Sequence, residues 1–388
     1  MNDISQATIV RVGVDLSKKY FQVHAITRLG EVTLAKAFSR DRFFTWCSEL
    51  PSGCMVAMES CGGAHHVARR LRDMGLDARL IAGSFVTPYR MAGKSGKNDA
   101  NDAAAICEAA GRPQMRFVPT KTCEQQGQLA IHRLREGYKE ERTACLNRIR
   151  GLLAEFGLVF PQSPEALRGA IQEVLEDASN ELPSVARLAL DRANSHYTEL
   201  DKEIAWCDER IRAHVKSDER AKKAAQLLGI GPLTASALVS TVGDFAQFHS
   251  ARQFGAWLGL TPSQNSTGGK AKLGGITKRG DTYLRTLLIQ GAKSAVMSAG
   301  KRSDRISAVA TQGAHRLAKN GRSSGQQKRP NTVERDDKRY HVRPRTRPNV
   351  SGYDSRRLGA DRSRSTDIVF LPTDVRSKML TTGQTGSR

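Results

Sequence analysis

Asp99 and Asp102 stand three residues apart at the head of an alanine-rich run, Gly96-Lys97-Asn98-Asp99-Ala100-Asn101-Asp102-Ala103-Ala104-Ala105. On a helix this spacing puts both carboxylates on one face, within a turn of each other. Asn98 or Asp99 can serve as the N-cap, and acids are favoured in a first turn. Capping has no use for two further acids, Asp15 and Glu59, each of which ends an apolar β-like run upstream. Taken singly, each acid reads better as a surface turn or a cap. Taken together, two carboxylates on strand ends and two on a facing helix form a set of hard oxygen donors, suited to Mg²⁺ or Mn²⁺ rather than zinc. Metal held there would polarise a phosphodiester and prepare its attacking and leaving oxygens. Lys18, Lys94 and Lys97 lie near these acids in sequence and are either phosphate contacts or solvated loop residues.

The runs that must carry the acids read in order. Ala7 to Asp15 is a buried strand; Tyr20 to Ile26 and Glu31 to Ala37 follow as a second and third, joined at Arg28-Leu29-Gly30. Cys54 to Glu59 is a short apolar strand, Ala64 to Met74 a helix and Asp77 to Ala82 a fifth strand. Three meandering strands followed by alternating helix and strand is the order of an RNase H-like (RuvC-like) α/β fold, assigned to residues 1–118. Open sheets of this type form sites beyond strand ends such as those at Asp15 and Glu59.

Residues 119–220 read as helical. Ile131, Leu134, Tyr138, Cys145, Ile149, Leu152 and Phe156 recur at steps of three and four, with a polar position around Glu141 and Arg142. Tyr197, Leu200, Ile204, Cys207 and Ile211 repeat the pattern, and Pro161, Pro164 and Pro183 punctuate the stretch between. The economical reading is an antiparallel coiled-coil hairpin, an arm that mediates dimerisation. A plain helical spacer packed on its own domain accounts for the pattern equally well.

Residues 221–315 form a mostly α C-terminal domain. In it, Leu227-Leu-Gly229-Ile-Gly231-Pro-Leu-Thr fits a helix-hairpin-helix, whose second helix presents N–H groups and a positive dipole end to a DNA phosphate. The alternative is an ordinary helical turn with Gly at a C-cap. Further on, Asn265-Ser266-Thr267-Gly268-Gly269-Lys270 runs on to Lys278-Arg279-Gly280-Asp281-Thr-Tyr-Leu-Arg285. Local chemistry favours a flexible basic loop gripping a nucleic-acid backbone. The sharper reading makes Ser266 a nucleophile toward phosphorus, which needs a base, a metal or nearby cations. Lys270, Lys278, Arg279 or Arg285 would neutralise charge on the phosphoryl group in transfer. No Walker A pattern occurs, which argues against an ATP motor.

Composition agrees with a polyanionic partner. The 388 residues carry 61 Lys and Arg against 39 Asp and Glu, a net +22, and so large an excess points to nucleic acid before a membrane surface. No apolar run reaches the length of a spanning helix and no signal peptide opens the chain, so a cytoplasmic protein is expected. Seven scattered cysteines without a C-x-x-C pair fit neither a disulfide framework nor a zinc site, and Cys61 with His65 and His66 is a weak ligand-like cluster.

Taken in order, these elements resemble insertion-sequence transposases with an N-terminal DEDD RuvC-like domain and a C-terminal serine domain, also described as bridge-RNA-guided recombinases. The resemblance rests on Val12-Gly-Val-Asp15-Leu-Ser-Lys18, Ala57-Met-Glu59-Ser60, Lys97-Asn-Asp99-Ala-Asn-Asp102-Ala, Gly229-Ile-Gly231, and Asn265-Ser-Thr-Gly-Gly-Lys270 through Arg285. It implies that Asp15, Glu59, Asp99 and Asp102 are the DEDD metal ligands and that Ser266 becomes covalently joined to a DNA end. It further implies a homo-oligomer, dimer or tetramer, in which half-sites meet across subunits and a structured guide RNA pairs with donor and target DNA. Thr267, beside Ser266, stands where some relatives have Ser. A junction-resolving nuclease on the same RuvC-like scaffold would need the acids but no serine. A nucleic-acid-binding remnant without catalysis is the third reading.

Residues 316–388 change character. From Arg316 onward 18 Lys or Arg face 7 Asp or Glu, half of the total excess, and apolar periodicity vanishes. Such a segment reads as a basic, disordered, RNA-binding arm. Members of the resembling family tend to finish with an apolar helix, which suggests a reading-frame change near Gly321. Translation of the other two frames of the encoding DNA tests this: no apolar helix in either would remove the idea.

Overall fold

The computed structural model describes residues 8–90, 98–304, 307, 308 and 311. Lys94, Lys97 and the whole basic tail, with the proposed frame change, lie outside the described residues. The chain divides into two compact units, one of Met1–Lys222 with Ala235–Gln247, the other of Lys223–Thr234 with Phe248–Arg388.

In the first unit, alternation of Val12 and Val14 with Arg11, Gly13 and Asp15 makes β1 (Ile9–Leu16), which pairs antiparallel with β2 (Tyr20–Thr27), itself antiparallel to β3 (Val32–Ser39). Helix α1 (Arg40–Cys47) follows, then β4 (Met55–Glu59), α2 (Ala64–Asp73), β5 (Asp77–Ile81), the single turn α3 (Gly83–Val86), α4 (Asp99–Ala110) and the two-residue β6 (Phe117–Val118). The sheet order is β3-β2-β1-β4-β5-β6, with β1, β4 and β5 parallel and β6 antiparallel. This is the mixed α/β domain with a central sheet that the strand order predicted. The sequence pattern marks neither α1 nor β6, and the single turn α3 lies in the stretch after Ala82 that reads as a loop.

The two faces of the sheet are filled differently. On one, Val12, Val14, Val23, Val56 and Met58 pack against Phe43, Phe44 and Trp46 of α1 and Val67 and Leu71 of α2. On the other, Ala57 and Ile81 meet Ala105, Ile106, Ala109 and Ala110 of α4. Small residues let α4 come close. A Cβ built on Gly13 would lie 2.2 Å from the carbonyl oxygen of Ala103 and 2.5 Å from the amide nitrogen of Cys107. That contact is backbone, so it cannot give way by turning a side chain. Gly13→Ala is therefore expected to cost about 1–3 kcal/mol or more in a urea melt, by pushing α4 off the sheet. A melt within about 0.5 kcal/mol of wild type would show that α4 is not so tightly seated.

Beyond the sheet run α5 (Cys123–Ala154), α6 (Pro164–Glu176) and α7 (Ser184–Ser217). Helix α5 begins with a capping box, Thr122 and Gln125 each satisfying the other's backbone N–H. Arg135 pairs with Asp208, Arg142 with Asp201, and Cys145 lies against the carbonyl of Ala193, so α5 and α7 run antiparallel. Cys145, Ile149 and Leu153 form their core with Leu167 and Ile171 of α6 and Leu190, Tyr197 and Leu200 of α7. The polar interruption at Arg142 is thus an ion pair to the facing helix. Leu134 and Leu152, placed on the seam by their spacing, are instead exposed.

Helices α8 (Glu219–Ala225) and α9 (Pro232–Val242) follow. Ser236 of α9 is fully buried, its hydroxyl 2.9 Å from Nε2 of His132 on α5 and 2.8 Å from Nδ1 of His214 on α7. Asp218 stands 3.9 Å from the other nitrogen of His214. Burial, then the neighbouring His214 and Arg135, pushes His132 down to about 4; burial also lowers His214. A His depressed on folding takes up protons more readily when unfolded, so stability is present above the ordinary His pKa and lost as pH falls toward the folded value. From pH 7 to pH 5, His132 alone should remove about 2 kcal/mol. His132→Gln should flatten that part of the pH dependence of the urea midpoint. Parallel pH curves for the two proteins would contradict the assignment.

The second unit carries α10 (Ala251–Trp257), a hairpin of β7 (Pro262–Gln264) and β8 (Leu273–Ile276), and α11 (Thr282–Met297). Phe248, Phe254 and Trp257 pack as an aromatic trio at α10. Asp281 caps α11 by accepting from the amide of Leu284. Among the described residues no helix is long and apolar enough to cross a membrane.

Candidate active site

Val14 of β1 pairs with Met58 of β4, so Asp15 and Glu59 come next on adjacent parallel strands. Helix α4 packs on the same two strands and begins at Asp99, with Asn98 as its N-cap accepting from the amide of Asn101 at 2.8 Å. Its first turn delivers Asp99 and Asp102 to the strand ends. The electrostatics of Asp15 register the result. Burial first, then the charges of Asp102, Asp99 and Glu59, hold its carboxyl above the ordinary value, and Arg90 opposes them. The fold therefore brings all four predicted acids into one field.

Arg90 lies among them. Its Nη2 donates to Oε1 of Glu59 at 2.6 Å and its Nε to Oδ1 of Asp102 at 2.8 Å, joining the end of β4 to the first turn of α4. Among the described residues no three His, Cys, Asp or Glu side chains are already drawn into a closed metal-ligand set. The donor chemistry nonetheless fits a divalent cation. Four hard carboxylates repel one another, and among the described residues the cation that pairs with them is the Arg90 side chain.

The Cys61, His65 and His66 cluster does not assemble as a ligand set. Nδ1 of His65 accepts from the amide of Lys121, and burial with Lys121, Arg69 and Arg133 holds that imidazole down to about 4. The exposed Cys61 instead sits near the acids: burial, then Asp15 and Glu59, raise its thiol.

In the second unit Ser266 is exposed on the β7–β8 hairpin. The loop closes through a tight turn. Gly268 and Gly269 both have positive φ, 55° and 78°, and Lys270 N–H donates to the carbonyl of Thr267 at 3.1 Å. That is the pattern of a type I′ hairpin turn, which needs a positive φ at both central places and so favours a pair such as Gly-Gly. Oγ of Ser266 accepts from Nε2 of Gln264 at 2.9 Å and from the amide of Lys272 at 3.2 Å. Lys270, Lys278 and Arg279 are exposed beside it in sequence, and Lys278 is held at a positive φ of 56°, unusual for a side chain of its size.

Arg285 departs from expectation. It is buried, and its guanidinium donates to the carbonyls of Leu258 and Gly280 and to the hydroxyl of Thr282. Those bonds fasten α11 to the loop after α10 and turn the buried guanidinium toward protein oxygens. At the Gly-Ile-Gly turn, Gly229 adopts φ +79° and packs against the backbone of Gly291, where a Cβ would come within 2.8 Å. Gly231 faces open space, and α9 starts at Pro232.

Arg90 and Gln264 were missed from sequence. No spacing singles out Arg90, which is 31 residues from Glu59. Gln264 had a usable signal: it lies two places before Ser266, the same-face period of a strand.

The mixed α/β domain with its six-stranded central sheet is consistent with a DEDD transposase domain, and residues 12–158 match the family model DEDD_Tnp_IS110, described as "Transposase". Residues 221–308 match the profile described as "Transposase IS116/IS110/IS902 family". The chain belongs to the IS116/IS110/IS902 family of transposases. It is 45% identical over 295 residues to a Pseudomonas aeruginosa protein described as a "Probable family 20 transposase", covering 76% of this chain and 86% of that one. It is 40% identical to the transposase for insertion sequence element IS1328 of Yersinia enterocolitica, over 74% of this chain and 83% of the relative. With the transposase for IS1111A of Coxiella burnetii it shares 39% identity, over 78% and 82% of the two chains.

Proposed function

We propose that this chain cuts and rejoins DNA as the transposase of an insertion sequence, using the four acids as a metal site and Ser266 as nucleophile. The observation that supports this most is the convergence of Asp102, Asp99 and Glu59 on Asp15. Asp15, Glu59, Asp99 and Asp102 would hold Mg²⁺ or Mn²⁺, which when bound supplies charge stabilisation at the scissile phosphate. Ser266 contributes the hydroxyl. The Gln264 amide and the Lys272 N–H both donate to its oxygen, so negative charge on that oxygen is favoured as the proton leaves. A bond forms from Oγ to phosphorus while one ester bond of the DNA backbone breaks, and a proton ends on the leaving alcohol. Lys270, Lys278 and Arg279 attract the phosphates, and the open Gly231 at the head of α9 adds N–H donors in a helix-hairpin-helix.

A net +22 accommodates a structured guide RNA together with DNA. The α5–α7 hairpin serves as a coiled-coil arm for a dimer or tetramer. The test is incubation of the full chain with duplex DNA from the element ends, with and without the element's transcript, in Mg²⁺ or EDTA. Scission and a protein–DNA adduct should both need metal. Scission that persists in EDTA would defeat the metal site, and activity indifferent to the transcript would defeat RNA guidance.

A further inference from the structure

The acidic cluster has to be tolerable when no metal is bound. Four carboxylates in one field destabilise each other, and the partial burial of Asp15, Glu59 and Asp102 withholds some of the water that would screen them. Arg90 answers this in the structure by placing one guanidinium against Glu59 and Asp102 at once, at 2.6 and 2.8 Å. Its side chain is about a third exposed, 36%, against 14% for Asp102 and 21% for Glu59, so the group forms the solvent-facing edge of the cluster. The backbone holds it there: Arg90 N–H donates to the carbonyl of Thr87, closing the short turn after α3.

Two consequences follow from charge and geometry. A divalent cation needs the carboxylate oxygens that Arg90 engages, and two cations crowded on the same acids repel. Metal and guanidinium therefore compete. A displaced guanidinium is a planar fork of N–H donors at the mouth of the site, the geometry that suits a phosphate oxygen pair.

We propose that Arg90 is a resident counter-cation that yields Glu59 and Asp102 to the metal and passes to the phosphodiester of bound DNA. This rests on the acid-site reading above. It makes Arg90 a positioning residue that couples the two ligands: metal alone binds against the guanidinium, whereas metal with DNA binds with the guanidinium re-employed on phosphate. By linkage, DNA must then tighten metal binding by the factor by which metal tightens DNA binding.

The experiment is a Mn²⁺ titration of the full chain, read by the EPR signal of free Mn²⁺, without and with an element-end duplex. Wild type should bind Mn²⁺ weakly alone and about tenfold more tightly with DNA. Arg90→Gln should bind Mn²⁺ alone about tenfold more tightly than wild type and lose most of the DNA enhancement. Arg90→Lys keeps the charge without the fork and guards against a folding defect in the neutral variant. It should fall between the two in Mn²⁺ affinity, with the enhancement still reduced. A residue that only braced β4 to α4 would loosen the site on removal and weaken Mn²⁺ binding. Equal or weaker Mn²⁺ affinity in Arg90→Gln, or an undiminished DNA enhancement, overturns the proposal. Asp102→Asn separates the two readings: if wild type binds no Mn²⁺, or Asp102→Asn binds it unchanged, the acid site itself falls and this inference with it.

Discussion

Asp15→Asn is expected to abolish metal-dependent scission of element-end DNA, a loss of about 10³-fold or more. The substitution keeps shape and removes one charge, at the position on which the other three acids bear. What makes the test informative is the accompanying change in stability. Asp15 is held above the ordinary carboxylate value, so its ionised form is disfavoured by the fold. Neutralising it relieves repulsion with Asp102, Asp99 and Glu59, and the metal-free variant should melt at or above the wild-type temperature. A carboxylate kept for structure would behave in the opposite way, losing melting temperature together with activity. Activity retained within about tenfold would remove Asp15 from the metal site.

The acids were legible because each sits at a place that secondary structure defines. Asp15 and Glu59 end apolar runs whose alternation marks β1 and β4, and Asp99 and Asp102 open an alanine-rich helix. Once the strand order is known, parallel pairing of β1 with β4 puts the first two side by side. Gly13 does the rest by letting α4 close on the sheet; a glycine inside an apolar strand signals a close backbone approach, but its local sequence does not name the partner.

What could not be read depends on contacts distant in the chain. Helix α1 is short, and its Phe43, Phe44 and Trp46 show their common face only once Phe21 and Phe38 are brought to it by the sheet. Strand β6 is two residues long, below any periodicity. Arg285 looked like one more cation in a basic stretch, yet its partners are carbonyls 27 and five residues away. Charge in sequence does not say whether a guanidinium is spent on protein or left for a ligand. Arg90 makes the same point from the other side, since its two carboxylates come from different elements.

Ser266→Ala carries the second large effect. It should eliminate the covalent protein–DNA adduct and lower strand scission by about 10³-fold or more. The hydroxyl is exposed, and its removal frees the side-chain amide of Gln264 and the backbone N–H of Lys272, both on exposed residues that water can reach, so folding should be unaffected. The neighbouring hydroxyl provides the control. Thr267 opens the I′ turn with its backbone carbonyl rather than its side chain, so Thr267→Ala should leave the hairpin and the adduct intact. If the adduct instead survives Ser266→Ala and disappears in Thr267→Ala, the nucleophile is one residue further on. If scission continues in Ser266→Ala at the wild-type rate and no adduct forms in either protein, the four acids work without a serine, and the chemistry is that of a junction-resolving nuclease on the same sheet. Gln264→Ala refines the outcome, because losing one of two donors to Oγ should slow adduct formation about tenfold or more while leaving DNA affinity unchanged.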